Sequence, residues 1–185
     1  MGFLRRLLGG EAQSAAEARW PPKGPITSWP GENIGTNLAM PAVVFEPPEC
    51  DGVELAGESL RQDTLELIAG GRTIDGLRDP DGHSAVLLPE PTNPDHPEAV
   101  RVVIVPTRRG QPWGLVGYLS REDAVAYGPL IDRVAALGRV VSCRATLTGG
   151  WDRGPDDRGS IGVVLVLGSP EECALKLDAS PPKPA

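Results

Sequence analysis

The chain has 185 residues, of which 40% are hydrophobic, and carries a formal net charge of −7. That is enough apolar chain to bury a core, and no apolar run approaches the ~20 residues a membrane-spanning helix needs. From Val53 to Leu167 there are 12 Arg against 16 Asp and Glu, so any binding of nucleic acid must come from a local cation cluster and not from the overall field.

Residues 1–50 read as a Pro/Gly-rich, largely irregular segment. Phe3, Leu4, Leu7 and Leu8 around Arg5 and Arg6 make a short amphipathic start, read as a frayed helix in preference to a membrane or partner contact. It is too short an apolar stretch for a signal peptide, and cytoplasm is the expected location. Within this segment Met40–Phe45 (MPAVVF) allows one short strand.

Residues 51–168 predict one domain. Val53–Gly57 opens as a strand. Asp63–Ala69 follows as a helix, with Leu65 and Ile68 on one face and Gly70-Gly71 as its stop. Ser84–Pro89 and Ala99–Val105 are strands, the second with Val100, Val102 and Ile104 alternating against Arg101 and Val103. Arg108–Pro112 makes a hairpin turn into Gly114–Leu119. Ser120 caps a helix to Leu137, with Asp123 three residues on and Tyr127, Leu130, Ile131 and Val134 forming the buried stripe. Pro129 is expected to kink or restart it. Val140–Leu147 and Ile161–Leu167 close the domain around the long loop Gly149–Gly159. The pattern is α+β, mostly β: a small, partly open barrel with one main packed helix. Residues 169–185 are expected to be a disordered tail, on the composition of ASPPKPA.

Enzyme signatures are absent. No P-loop, GxGxxG turn, GxSxG elbow or HExxH helix occurs, and no cofactor is expected. Cys50, Cys143 and Cys173 are scattered without a CxxC pair, which argues against structural zinc. Asp152, Asp156 and Asp157 beside Trp151 are spaced to hold a divalent ion. With Arg153 and Arg158 interleaved, a solvated loop is the stronger reading. His83 beside Asp79 and Asp81 reads likewise as a turn.

One stretch carries a more specific signal. Pro91, Pro94 and Pro97 fix φ three times within EPTNPDHPEAVRV, holding a polar loop in one shape between apolar strands. The strand end VGYL and a capped helix follow. This order resembles the HIRAN domain, whose hallmark is an EPxNPxDxxAVxV run, then a (V/I)G(Y/H)L strand end and a helix. The likeness spans roughly Val53 to Leu167 and implies an OB-like (SH3/OB-type) barrel. HIRAN domains are often appended to Swi/Snf-type helicases that remodel stalled forks, and well-studied members hold the 3′ end of single-stranded DNA. An aromatic stacks on the terminal base, a carboxylate meets the 3′ hydroxyl and basic groups meet phosphate.

The resemblance carries over residue by residue. The family's Tyr-Asp after the NP turn is Asp95-His96 here, so the stacking aromatic is missing and imidazole stands where the carboxylate would be. The aromatic-rich segment after the first strand is Ser59, Leu60, Arg61 and Gln62. The basic position opening the helix is kept as Arg121, and Tyr118 occupies the variable position of the strand end. Arg61, Asn93, His96, Tyr118 and Arg121 are therefore the candidate nucleic-acid-binding residues. Each has a plainer role open to it: Asn93 bonding its own turn, Tyr118 packing on the helix, Arg121 a first-turn helix residue. The expected function is a non-catalytic module for single-stranded DNA, 3′ ends or fork-like structures in repair or replication, with DNA or a DNA-processing protein as partner. The alternatives are a protein-interaction module of the same fold that has lost DNA binding and, less favoured, a metal-dependent nuclease or hydrolase.

Overall fold

The computed structural model describes residues 42–45, 47, 52–77, 79, 82–105 and 111–179. Among the described residues seven strands run β1 (Ala42–Val44), β2 (Val53–Ala56), β3 (His83–Pro89), β4 (Val100–Val105), β5 (Gly114–Leu119), β6 (Val140–Gly149) and β7 (Ile161–Val166). Three helices join them: α1 (Gln62–Ala69), entered through a 3-10 turn at Glu58–Arg61, α2 (Arg121–Ala136) and α3 (Pro170–Ala179).

Strands β6-β3-β4-β5-β2-β7 are antiparallel neighbours, and β7 pairs back on β6 from Arg144↔Val166 to Gly149↔Ile161. The sheet therefore closes into a six-stranded barrel of OB-like form, as the alternating apolar strands predict. β1 is the added seventh strand, parallel to the start of β6. Closure depends on β2, which holds Leu165 and Val164 of β7 through Val53 and Glu54, then Leu119 and Tyr118 of β5 through Leu55 and Ala56. Gly117 lets that short strand come close. A Cβ there would meet the Ala56 carbonyl oxygen at 2.9 Å and the Leu55 Cβ at 3.2 Å, which gives the glycine of VGYL a packing reason.

Period-two alternation sorts the strands' side chains. Ala85, Leu87, Val100, Val102, Ile104, Val141, Cys143, Ala145, Ile161, Val163 and Leu165 fill the barrel core. The opposite faces of β3, β4 and β6 form a second, smaller apolar layer of Val86, Leu88, Val103, Val105 and Val140.

Helix α2 adds the expected Tyr127, Leu130, Ile131 and Val134 to the core. Ser120 Oγ accepts the Asp123 N–H at 3.0 Å and donates to the Asp123 carboxylate at 2.6 Å, a cap closed through the hydroxyl. Of the kink or restart expected at Pro129, the restart does not occur: the helix runs unbroken from Arg121 to Ala136. The carbonyl robbed of its N–H partner is that of Val125; Val125 and Pro129 are both exposed, so water can satisfy it.

Two boundaries move. Phe45, inside the segment read as irregular, is 1% exposed and belongs to the core, so the domain begins no later than β1. Residues 169–185 are not a disordered tail throughout. Ser169 and Glu172 form a capping box (Ser169 N–H to Glu172 Oε2 at 2.9 Å, Glu172 N–H to Ser169 Oγ at 3.3 Å), and α3 buries Cys173 and Leu177. Leu65 and Ile68 of α1, expected on one face, are buried as well, so α1 and α3 add to the main helix α2 in covering the core. The hairpin turn placed at Arg108–Pro112 lies mostly outside the described residues, as does the amphipathic start.

Candidate nucleic-acid interface

The EPTNP loop leaves β3 at Glu90 and re-enters the sheet at Val100. It is closed by Glu90 N–H to Ala99 O at 2.7 Å and Asn93 N–H to Glu90 O at 2.9 Å. Asn93 does the turn work that its residue type suggests, its Oδ1 accepting the N–H groups of Asp95 at 3.0 Å and His96 at 3.1 Å. Its amide faces the other way and donates to Glu90 Oε2 at 3.1 Å.

Glu90 is the hub. Besides Asn93, its Oε2 accepts the Tyr118 hydroxyl at 3.2 Å, and its Oε1 lies 3.6 Å from Arg101 Nη1. Tyr118 and Arg101 are directly paired across β5 and β4, so the sheet register sets both on one face and the loop brings the carboxylate to them. Burial raises the Tyr118 phenol above its ordinary pKa. The Glu90 charge and hydrogen bond push the same way, while Arg101 and Arg61 oppose weakly. Arg61, at the end of the 3-10 turn, thus lies within electrostatic reach of the same hydroxyl.

Of the five residues named from sequence, Asn93 and Tyr118 meet on Glu90 and Arg61 stands near. His96 belongs to the same loop; its Nε2 is buried and has no hydrogen-bond partner. Arg121 is exposed in the first turn of α2, two residues beyond the strand end, with no contact that joins it to the others. Sequence reasoning missed Glu90 and Arg101. Arg101 is 8% exposed, and its Nε is also buried without a partner. The signal was present: one arginine among five Val and Ile in a strand whose two faces are both apolar is a buried cation in need of an acceptor, and Glu90 is the first residue of the quoted run. A guanidinium, a phenol and an amide around one carboxylate can recognise a phosphate or a hydroxyl. They hold no arrangement that would activate a nucleophile.

The loop 149–159 is a different kind of structure. Trp151 bridges to Thr73 and Asp152 to Arg158. Two of the three carboxylates are taken: Asp157 Oδ1 by the Trp151 indole N–H at 2.9 Å, Asp152 by Arg158 Nε at 2.9 Å and by the Gly154 N–H at 3.2 Å. Among the described residues no group of three His, Cys, Asp or Glu is arranged to hold a metal ion. Asp79 likewise ends a turn, accepting the N–H groups of Gly82 and Leu147 at 3.1 Å each, with His83 3.4 Å away. No described helix is long and apolar enough to cross a membrane.

No protein-family model matches the chain, and no match was found among curated proteins or solved structures.

Proposed function

We propose that this is a non-catalytic, HIRAN-like nucleic-acid-binding module of the cytoplasm, taking single-stranded DNA, a 3′ end or a fork-like structure in repair or replication. The observation that carries the reading is the joining of the NP turn to the GYL strand end through Asn93, Glu90 and Tyr118, with Arg101 3.6 Å from Glu90 and Arg61 within electrostatic reach of Tyr118. These are the two motifs on which the resemblance rests, and the cations next to them supply the local charge that an acidic domain requires. Arg61 and Arg121 would meet backbone phosphates. Tyr118 would offer the groove's aromatic face in place of the absent NP-turn tyrosine, where stacking is worth ~1–3 kcal/mol per base. Binding of matched oligonucleotides ending in a 3′-hydroxyl or a 3′-phosphate tests the reading; unequal affinities support end recognition, and equal, negligible binding of both removes it.

A protein-interaction module is the second reading, favoured by one observation. Ile74 is 70% exposed, and its carbonyl accepts from Arg153, close to Trp151 at 36% exposure. Leu67, 64% exposed, follows Glu66, which pairs with Arg72 and Arg158 of the same region. Exposed Trp with Arg is the composition of a protein-contact patch.

A further inference from the structure

The groove's donors already hold an anion, and it is the protein's own. We propose that Glu90 is a built-in competitor for an anion-binding position formed by Arg101, Tyr118 and Asn93, and that it swings aside when a phosphate group enters. The inference rests on the reading above only for its oligonucleotide arm.

Three different donors converge on one carboxylate: a guanidinium, a phenol and a primary amide. This is the chemistry of a phosphate cradle. The Tyr118 bond, at 3.2 Å, is longer than the usual 2.5–3.0 Å for O–H···O, and the Asn93 bond, at 3.1 Å, is at the long end of the ordinary N–H···O range. Arg101 Nη1 is 3.6 Å away, beyond hydrogen-bond distance. Glu90 is therefore held loosely by a set that a tetrahedral anion with more oxygens would use more fully. Arg101 also keeps unused capacity: the residue is more than nine-tenths buried, yet its Nε has no partner. A buried N–H left unpaired is costly, and a ligand oxygen that reached it would recover that cost. His96 Nε2, in the same loop, is a second buried nitrogen without a partner. Glu90 lies just past the end of β3, with its side chain 22% exposed.

The device has a direct consequence. With Glu90 in place the site is close to neutral and disfavours doubly charged ligand ends. With the carboxylate neutralised the same donors present net positive charge.

The test compares wild type with Glu90→Gln, which keeps an oxygen for Tyr118 and Asn93 and removes the charge. Inorganic pyrophosphate is titrated by calorimetry and a labelled single-stranded oligonucleotide by fluorescence anisotropy. The expected result is tighter binding of pyrophosphate by Glu90→Gln, by about tenfold. In wild type, the NMR signals of the Asn93 side-chain amide should shift as pyrophosphate is added, because its acceptor leaves. Equal or weaker pyrophosphate binding by Glu90→Gln overturns the proposal, as do Asn93 signals that stay fixed through the wild-type titration. The latter arm decides if the variant does not fold. Tighter pyrophosphate binding with no oligonucleotide bound by either protein keeps the anion site and removes the nucleic-acid reading. Oligonucleotide bound equally by both, with pyrophosphate binding unchanged, does the reverse.

Discussion

Tyr118 and Glu90, 28 positions apart, are joined by a 3.2 Å hydrogen bond that ties the end of β5 to the loop after β3. The bond couples the loop's shape to the sheet's register, because Tyr118 is itself paired with Arg101 across β4. Removing the hydroxyl in Tyr118→Phe should lower stability by about 1 kcal/mol, read as a shift of the urea midpoint at unchanged slope. An unchanged midpoint would mean that the loop is held by its own turn alone.

The same phenol sets an alkaline limit. Its pKa is raised in the fold, first by burial and then by Glu90, so the folded protein retains a proton that the unfolded chain releases near pH ~10. Stability from this group is complete below that pH and is lost as pH rises through the folded value. Tyr118→Phe should flatten the decline in unfolding free energy as pH rises above about 10. A decline of equal steepness in the variant would assign it elsewhere.

Gly117→Ala should destabilise the barrel by about 1–3 kcal/mol, because the new methyl meets the Ala56 carbonyl and Leu55 at the strand that closes the sheet. Gly128→Ala, on α2 with open space around it, is the control and should be neutral or stabilising. Thermal melts of the two variants check this.

Helix α3 is testable by a pair of leucines. Leu177→Ala removes a side chain 5% exposed and should cost about 2–4 kcal/mol, while Leu175→Ala, at 70% exposure, should change stability by less than about 0.5 kcal/mol. Burial likewise pushes the Cys173 thiol up to about 11, so alkylation at pH 8 should follow unfolding and not precede it.

Alternation of Val and Ile with other residues told strand from helix, and Ser120 with Asp123 marked the start of α2, because these signals depend only on near neighbours in sequence. Helix α3 was equally legible: Ser169, Pro170 and Glu172 are an N-cap, a first-turn proline and a capping-box acid. The prolines of the final residues masked it. The site was half legible. Asn93 and Tyr118 stand out as polar groups in stiff or conspicuous settings, whereas the pairing of Tyr118 with Arg101, which sets both beside Glu90, depends on how β4 and β5 register, and a bulge between Val102 and Val103 resets that register. No spacing rule in one sequence reports such a shift. Gln62 escaped for a similar reason: it exchanges two 2.9 Å bonds with the backbone of Ile161, 99 residues away.

The most direct measurement is anisotropy of a labelled single-stranded oligonucleotide across a range of salt, for wild type, Arg61→Ala and Arg121→Ala. The account predicts that each variant binds all sequences more weakly by a similar factor and that its dependence of log affinity on log salt is shallower by about one unit, as expected when one phosphate contact is lost. A wild type that binds while both variants keep its affinity and its salt slope would contradict the groove and move the site to the loop around Trp151.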